Sequence, residues 1–183
     1  FTLTTSTFSG SIVRNNVNVQ VIGENAETNL FGTYLLNDKQ VVDNHTTVDH
    51  KVAHCISNEL YKGVLDDAST GVFNGKVFVR QDAQKINAFQ SNANVLLSDN
   101  ASMNSKPELE IYADDVKCSH GSTTGQIDEE AIFYLRARGI SEKSAKSLLL
   151  HGFIGDVLDK FTSEAVKEKV TTLVNNKLGV NKG

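Results

Sequence analysis

The stretch PELEIYADDVKCSHGSTTGQIDEEAIFYLRARGI, residues 107–140, contains the point at which the chain changes from one type of secondary structure to another. Before Gln126, apolar and polar residues alternate, as around Leu109 and Ile111, and this period of two predicts β-strands. After Gln126, Glu, Lys, Leu and Ala recur at the spacing of amphipathic helices. We therefore predict a β part over residues 1–126 and an α-helical part over residues 127–183.

The β part contains short alternating segments, such as the one that includes Val17, Val19 and Val21. Turn-forming residues between such segments predict turns at 22–25, 37–38, 74–75, 91–92 and 98–100. Short strands of this kind fit a sandwich, a barrel or a β-solenoid. The many Asn residues suit a solenoid, because Asn tolerates the left-handed conformation at corners and stacks in ladders between coils. No clear sequence period stands out, so the alternation alone leaves all three architectures open.

Capping residues and the spacing of apolar residues predict three helices in the α-helical part. Asp128 is the predicted N-cap of the first helix, which ends at Gly139, and Ser141 is that of the second. The third helix runs from Ser163 to just before Gly179. The residues predicted to face inward are Leu150, Ile154, Val157, Leu158 and Phe161 in the second helix, and Val166, Val170 and Leu173 in the third.

A helical module of this size has little core of its own. It must therefore pack on the β part or on a partner. Gly152 and Gly155 weaken the second helix by about 1 kcal/mol each relative to alanine. Glycines at these positions indicate either a close approach of another helix or a bend.

Cys118 and His120 are the strongest candidates for chemistry. They lie two residues apart on a predicted strand, so both side chains point to one face. A thiolate and an imidazole suit iron or zinc, but a stable site usually needs three or four ligands. A partner chain would have to supply the others; the alternative is a buried cysteine beside a hydrogen-bonded histidine. The Gly- and Thr-rich segment 121–125 that follows predicts a hinge.

Three other groups favour structural roles. His50 and His54 would share one face of a strand while Cys55 points away, which does not make a three-ligand site. The acidic pairs at 66–67 and 114–115 consist of neighbours that face opposite sides of a strand, whereas glycoside hydrolysis needs two carboxylates facing one substrate. Segment 71–77, GVFNGKV, lacks the Ser or Thr that follows the lysine of a phosphate-binding loop, and it predicts a turn.

Composition excludes several classes of protein. The 183 residues include 18 Lys and Arg against 22 Asp and Glu, a net charge of −4, which is a poor match to nucleic acid. Two cysteines, Cys55 and Cys118, do not make a disulfide framework and favour a reducing, cytoplasmic setting. No apolar run reaches the length of a membrane span. The chain begins at Phe1 rather than at Met, which indicates a piece of a longer protein.

Three long segments resemble one known family. One is the stretch at 107–140 quoted above. The others are HKVAHCISNELYKGVLDDASTGVFNGKVFVRQDAQKINAFQSNANVLLSDNA at 50–101 and RGISEKSAKSLLLHGFIGDVL at 138–158. Together they resemble the SufB/SufD family of iron–sulfur cluster assembly, and within it the C-terminal portion of the SufD type. Ala101 stands where SufB-type proteins carry a sulfur-accepting cysteine, and SHGS at 119–122 stands where they read EHEA. The resemblance implies a right-handed parallel β-helix (solenoid) followed by a small C-terminal α-helical domain.

The resemblance also implies a function, that of a non-catalytic scaffold subunit which pairs with SufB and recruits the ATPase SufC. Cys118 and His120 would lie at the SufB contact, where iron or a transient iron–sulfur cluster is expected, although the isolated chain should hold no cofactor. Open strand edges would also allow a homodimer when partners are missing. The candidates for SufC docking are Arg136, Arg138, Leu150 and Ile154.

The alternative function is a carbohydrate-active β-helix enzyme, a lyase or a hydrolase. Such an enzyme needs facing carboxylates and an aromatic platform for the sugar. The chain has no Trp and 4 Tyr, so neither feature is recognisable in the sequence.

Overall fold

In a computed structural model, which describes residues 1–179, the chain forms nine β-strands followed by three α-helices. The strands are β1 Thr2–Thr7, β2 Ile12–Val21, β3 Glu27–Leu36, β4 Val41–His50, β5 Ile56–Leu65, β6 Thr70–Val79, β7 Ile86–Leu96, β8 Ser102–Ile111 and β9 Val116–Gln126. The helices are α1 Glu129–Arg136, α2 Glu142–Leu158 and α3 Glu164–Lys177. None of these helices is both long enough and apolar enough to cross a lipid bilayer.

The strands form two sheets in which every neighbouring pair is parallel. One sheet has the order β1-β3-β5-β7-β9 and the other β2-β4-β6-β8, so successive strands alternate between the two sheets. Asn29 lies beside Asn58 and Glu59 beside Gln90, separations of 29 and 31 residues along the chain. This is a parallel β-solenoid of about four turns. The predicted β-helix followed by helices is confirmed, and a sandwich or barrel is ruled out.

Large and small residues alternate in the columns that fill the solenoid. Tyr34 is paired with Gly63 on the next coil, and Gly32 with Tyr61. A Cβ atom on Gly63 would lie 2.2 Å from Cε2 of Tyr34, so this glycine leaves the space that the ring fills. Tyr61 in turn packs on Phe73 of the opposite sheet, with ring centroids 5.1 Å apart. The core therefore depends on register between coils.

Three predicted turns lie inside strands instead. Strand β6 includes segments 71–77 and 74–75, and β7 includes 91–92. The glycine of the 74–75 pair serves packing, because a Cβ on Gly75 would lie 2.4 Å from Nε2 of Gln90. Asn92 is buried and donates to the Tyr34 hydroxyl and to the backbone carbonyl of Tyr61. The predicted hinge at 121–125 is also wrong, since β9 pairs with β7 throughout that segment.

The corners use left-handed backbone at matching positions of successive coils. Asn25, His54 and Lys85 have positive φ at one corner, and Asp38 and Asp67 have it at another. The predicted turns at 22–25, 37–38 and 98–100 lie between strands and are confirmed. The predicted asparagine ladders also form, with side-chain hydrogen bonds of 2.9 Å from Asn15 to Asn44 and from Asn58 to Asn29.

The helices pack on the outer face of the five-stranded sheet. Their apolar side chains form one cluster with Leu35 of β3 and Val64 of β5, and the helix residues in it are Leu150, Ile154, Leu158, Val170 and Val174. Lys62 of β5 fixes α2 further, because its Nζ donates to the Phe153 carbonyl at 2.8 Å. The helices and the outer face of the solenoid therefore share one apolar core.

The helix ends mostly follow the sequence prediction. Asp128 accepts a hydrogen bond from the Ala131 amide, and Ser141 accepts one from the Ser144 amide, so both N-caps are confirmed. The inward positions of α3 were predicted only in part. Val170 is buried as expected, but Val166 and Leu173 are exposed, because Val174 takes the place beside Val170 in the cluster.

Candidate partner-facing site at the open end of the solenoid

The last coil leaves one end of the solenoid open. Among the residues that the structure describes, β9 pairs only with β7 and β8 only with β6, so each is the final strand of its sheet. Most residues of β9 after Cys118 are exposed. No further strand within residues 1–179 pairs with the outer edges of β8 and β9, and an uncovered edge of this kind favours pairing with a second chain.

Cys118 and His120 lie on the inward-facing side of β9, at the mouth of the solenoid interior. Cys118 packs against the core cluster, and Ser122 donates across to the Ser105 hydroxyl of β8 at 2.7 Å. Alternation along the strand places His120 on the same side. Burial raises the pKa of the Cys118 thiol, which lowers its thiolate fraction. The common face of the two residues follows the sequence prediction, and their role in binding metal stays a prediction.

Cys118 and His120 make only a partial coordination set. Within residues 1–179 no group of three or more His, Cys, Asp or Glu side chains is arranged to hold a metal ion. A thiol and an imidazole at an open strand edge can bind iron weakly by themselves and more firmly when another chain adds ligands.

A buried polar column lies directly beneath His120, and the sequence interpretation missed it. Strand pairing aligns Glu59 with Gln90, and Gln90 with His120. Nε2 of Gln90 donates to Oε2 of Glu59 at 2.5 Å. Burial raises the pKa of the Glu59 carboxyl. Only the register of the coils brings these three residues together, because they are spread over 62 residues of sequence.

A second polar network occupies the neighbouring columns. The Tyr34 hydroxyl donates to Oδ1 of Asn94 at 2.5 Å, and Nδ2 of Asn94 donates to Oδ1 of Asn92 at 2.8 Å. The same Oδ1 of Asn92 accepts a hydrogen bond from Ser105. Through Ser105 and Ser122 this network also reaches the open end of the solenoid interior.

The four candidate docking residues of the helical part fall into two groups. Leu150 and Ile154 are 4% and 0% exposed and hold α2 against the solenoid, so a partner cannot reach them. Arg136 pairs with Glu142 at 3.3 Å on the surface. Arg138 lies 3.6 Å from the ring centroid of Tyr134, also on the surface.

The exposed apolar residues of the helical part were missed by the sequence interpretation. Phe133 and Tyr134 of α1 are 75% and 56% exposed, and Leu148 of α2 is 56% exposed. Ile132 is the buried residue of α1, so its neighbours Phe133 and Tyr134 point elsewhere. Large apolar side chains off the buried stripe of a short helix are the pattern that could have identified this surface.

The His50, His54 and Cys55 group does not lie on one strand as the sequence interpretation assumed, and two of its members, His50 and Cys55, make buried structural contacts. His50 is buried, with Nε2 2.9 Å from the Ser57 hydroxyl, and Cys55 donates to the carbonyl of Ala53. His54 lies at a corner with φ of 60°. Only His50 belongs to β4, and β5 begins at Ile56, so segment 50–55 is mostly a corner.

Acidification is expected to destabilise the chain through His50. Burial lowers the pKa of this imidazole from its ordinary 6.5 to about 4, and the nearby Asp49 only partly opposes this shift. The stabilising effect of a neutral His50 is therefore fully present above pH 6.5 and is lost as the pH falls toward 4. At pH 5 the loss amounts to about 2 kcal/mol.

The measurement is urea unfolding of the chain and of a His50→Gln variant at pH 5 and pH 7.5. The variant should lose less stability between the two pH values than the unmodified chain does. Equal losses in both proteins would show that His50 does not carry this pH dependence.

Three of the four carboxylates in the acidic pairs, Asp66, Asp67 and Asp115, have structural partners at the corners. Asp67 accepts a hydrogen bond from the backbone amide of Asp38 at 2.8 Å, and Asp66 accepts one from the amide of Asp67. Asp115 pairs with Lys85 of the preceding coil. These carboxylates stabilise left-handed turns between coils.

Comparison with known proteins gives a family match over most of the chain. The family model described as "SUF system FeS cluster assembly, SufBD core domain" matches residues 1–153.

Individual relatives agree with this match. The iron–sulfur cluster assembly protein SufD of Escherichia coli K12 is 37% identical over 169 residues, which cover 92% of this chain and 40% of that protein. A SufBD family protein of Synechocystis is 38% identical over 88% of this chain and 36% of its own length. One of Mycobacterium leprae is 36% identical over 96% of this chain and 47% of its own length. The chain thus spans less than half the length of these relatives.

Proposed function

Because this chain belongs to the SufBD core family of the SUF system for iron–sulfur cluster assembly, we propose that it is a scaffold subunit of that system. In this role it pairs with a SufB-type subunit and recruits the ATPase SufC, and it does not itself catalyse a reaction. The nascent cluster is the cargo of the assembly. The chain contributes a surface on which the cargo is held while it is built.

The observation that carries this proposal is the open coil with Cys118 and His120 at its mouth. An uncovered strand edge favours pairing with another chain, and the two side chains face the interior that such a partner would close. A second chain could supply the ligands that complete the set. Ala101, at the start of the same coil, cannot accept sulfur, so the attacking thiolate is assigned to the partner.

Recruitment of the ATPase is assigned to the exposed apolar surface of the helical part. Phe133, Tyr134 and Leu148 are large side chains exposed to solvent, and Arg138 lies beside Tyr134. Aromatic residues and Arg are enriched at protein interfaces. This surface replaces Leu150 and Ile154 as the docking candidate, while Arg136 and Arg138 remain part of it.

Replacing His120 with alanine is expected to lower the iron and sulfide content of the assembled complex. Loss of a metal ligand, or of a group that orients one, typically costs 10-fold or more in metal affinity, so we expect a drop of roughly 10-fold. Cys118→Ser should have a smaller effect, because its thiol is half-buried and less ionised. The measurement is iron and labile sulfide in complexes purified after co-expression with SufB and SufC.

His151→Ala is the matched control, because it removes an imidazole from α2, away from the open end. It should leave iron, sulfide and the composition of the complex unchanged. Normal cluster content in His120→Ala, with SufB and SufC still bound, would contradict the proposed role of the open end.

A further inference from the structure

Glu59, Gln90 and His120 form a column of stacked polar side chains in the solenoid interior. The three side chains occupy the same inward position on β5, β7 and β9. Adjacent strands lie about 4.8 Å apart, so paired side chains stack directly on one another. A carboxyl, an amide and an imidazole therefore follow one another from the middle of the solenoid to its open end.

Gln90 is held in a space built for it. Its side chain is 3% exposed, and that of Glu59 is 5% exposed. The absence of a Cβ at Gly75 gives the Gln90 amide its room on the opposite side. The hydrogen bond from Nε2 to Glu59 then fixes which way the amide is turned, since the carboxyl oxygen accepts and the amide nitrogen donates.

Two polar atoms of this column are left without a partner in the described part of the chain, Oε1 of Glu59 and Oε1 of Gln90, and of these two residues Gln90 is the one aligned with His120. Oε1 of Gln90 is buried and accepts no hydrogen bond from any group among residues 1–179. A buried carbonyl oxygen without a donor is unfavourable. The next side chain along the column is that of His120, which is exposed at the open end.

We propose that Gln90 is a positioning residue for His120, with its Oε1 accepting the N–H of the imidazole. This bond selects one tautomer of the neutral ring and leaves the other ring nitrogen facing the open end. Glu59 acts one step further back by fixing the amide of Gln90. The inference rests on the proposed function for its purpose, because a fixed tautomer matters when His120 serves as a ligand.

The chemistry is that of an oriented metal ligand. A ligating histidine binds through one nitrogen while the other donates to a carboxylate or a carbonyl, and this second bond fixes the ring and raises its basicity. A side-chain amide held by a carboxyl supplies the same kind of acceptor.

The test uses the full chain labelled with ¹⁵N-histidine, at a pH where the imidazoles are neutral. Proton–nitrogen correlation spectra distinguish the two tautomers, and a His120→Gln variant identifies the His120 resonances among those of the five histidines. The unmodified chain should show His120 in one tautomer. Gln90→Met keeps the volume of the side chain but removes the acceptor, so both tautomers should appear.

Two variants serve as controls for folding and chemistry. Gln90→Glu, made in the unmodified chain, keeps an acceptor oxygen, so His120 should remain in a single tautomer. Asn92→Leu disrupts a buried amide on the same strand, beneath Ser122 rather than His120, and should leave the tautomer of His120 unchanged. In the co-expressed complex, Gln90→Met should lower iron content by roughly 10-fold, the usual effect of losing a group that orients a ligand.

The outcomes separate this inference from the proposed function. Two tautomers of His120 in the unmodified chain, or one tautomer that persists in Gln90→Met, would overturn the positioning role. A tautomer lost in Gln90→Met with iron content unchanged would support the positioning role and contradict the use of His120 as a ligand.

Discussion

An Ile154→Asp substitution is expected to release the three helices from the solenoid while the strands stay folded. Ile154 is fully buried between α2, α3 and the outer face of β3 and β5. A carboxylate at this position would be buried without a partner, and such substitutions cost about 4 kcal/mol or more. Ile154 belongs to the apolar cluster that joins the helices to β3 and β5, so the attachment of the helices should fail before that of the coils.

Far-ultraviolet circular dichroism and hydrogen exchange measure this result directly. Helical signal and protection of α2 and α3 amides should be lost, while amides of β5 and β7 stay protected. Leu148→Asp is the matched control, because it introduces the same charge into the same helix at an exposed position. It should change stability by less than about 0.5 kcal/mol.

The same pair of variants bears on partner binding. Leu148→Asp should fold normally yet weaken the association with SufC, because it places a charge on the proposed docking surface. If Ile154→Asp kept its helices, the shared core of the helices and the solenoid would be the wrong account of their attachment. Undiminished SufC affinity in Leu148→Asp would remove that residue from the docking surface.

A Gly63→Ala substitution is expected to destabilise the solenoid by about 3 kcal/mol, at the upper end of the usual cost of overpacking. The new Cβ would lie 2.2 Å from Cε2 of Tyr34 and 2.6 Å from Oδ1 of Asn94. Both neighbours are buried and hydrogen-bonded to one another, so neither can move without breaking that bond. Chemical denaturation monitored by tyrosine fluorescence gives the change in unfolding free energy.

Gly152→Ala is the opposite case and serves as the control. No atom of the described chain lies within 4 Å of the position its Cβ would occupy, apart from its own helix and neighbours. Alanine should therefore stabilise α2 by up to about 1 kcal/mol. Of the two explanations given by the sequence for this glycine, a close approach of another helix is excluded. Equal effects of the two substitutions would contradict the packing argument for Gly63.

The type and order of the secondary structure could be predicted from the sequence, because both depend on local patterns. Alternation before Gln126 and helical spacing after it gave the classes correctly, and the side chains of Asp128 and Ser141 cap the helices they were expected to start. Glycines inside a strand were wrongly interpreted as turn residues, as at 74–75 in β6. At Gly75 the residue provides space for Gln90, and sequence alone cannot distinguish a glycine needed for space from one needed for a turn.

The coil period could not be found in the sequence, although it governs the whole β part. Members of one column share an inward direction but not a residue type: Leu30, Glu59, Gln90 and His120 are stacked on successive coils, and they are an aliphatic residue, a carboxylic acid, an amide and an imidazole. Corners of unequal length add to the difficulty, since separations between paired residues vary between coils. For this reason Cys118 and His120 were identified as neighbours from local alternation, whereas the link from His120 to Gln90 needed the structure.

The stacking of coils also determines how firmly each part of the chain is held. In a repeat array each unit is stabilised by its neighbours, so an inner coil has two supporting contacts and a terminal coil has one. The coil that ends in β9 has a neighbour on one side only. A terminal coil such as this one should therefore open at a free energy well below that of global unfolding. Cys118 and His120 thus lie on a terminal coil that opens more easily than the inner coils, and an arriving subunit would gain its affinity partly by suppressing that opening.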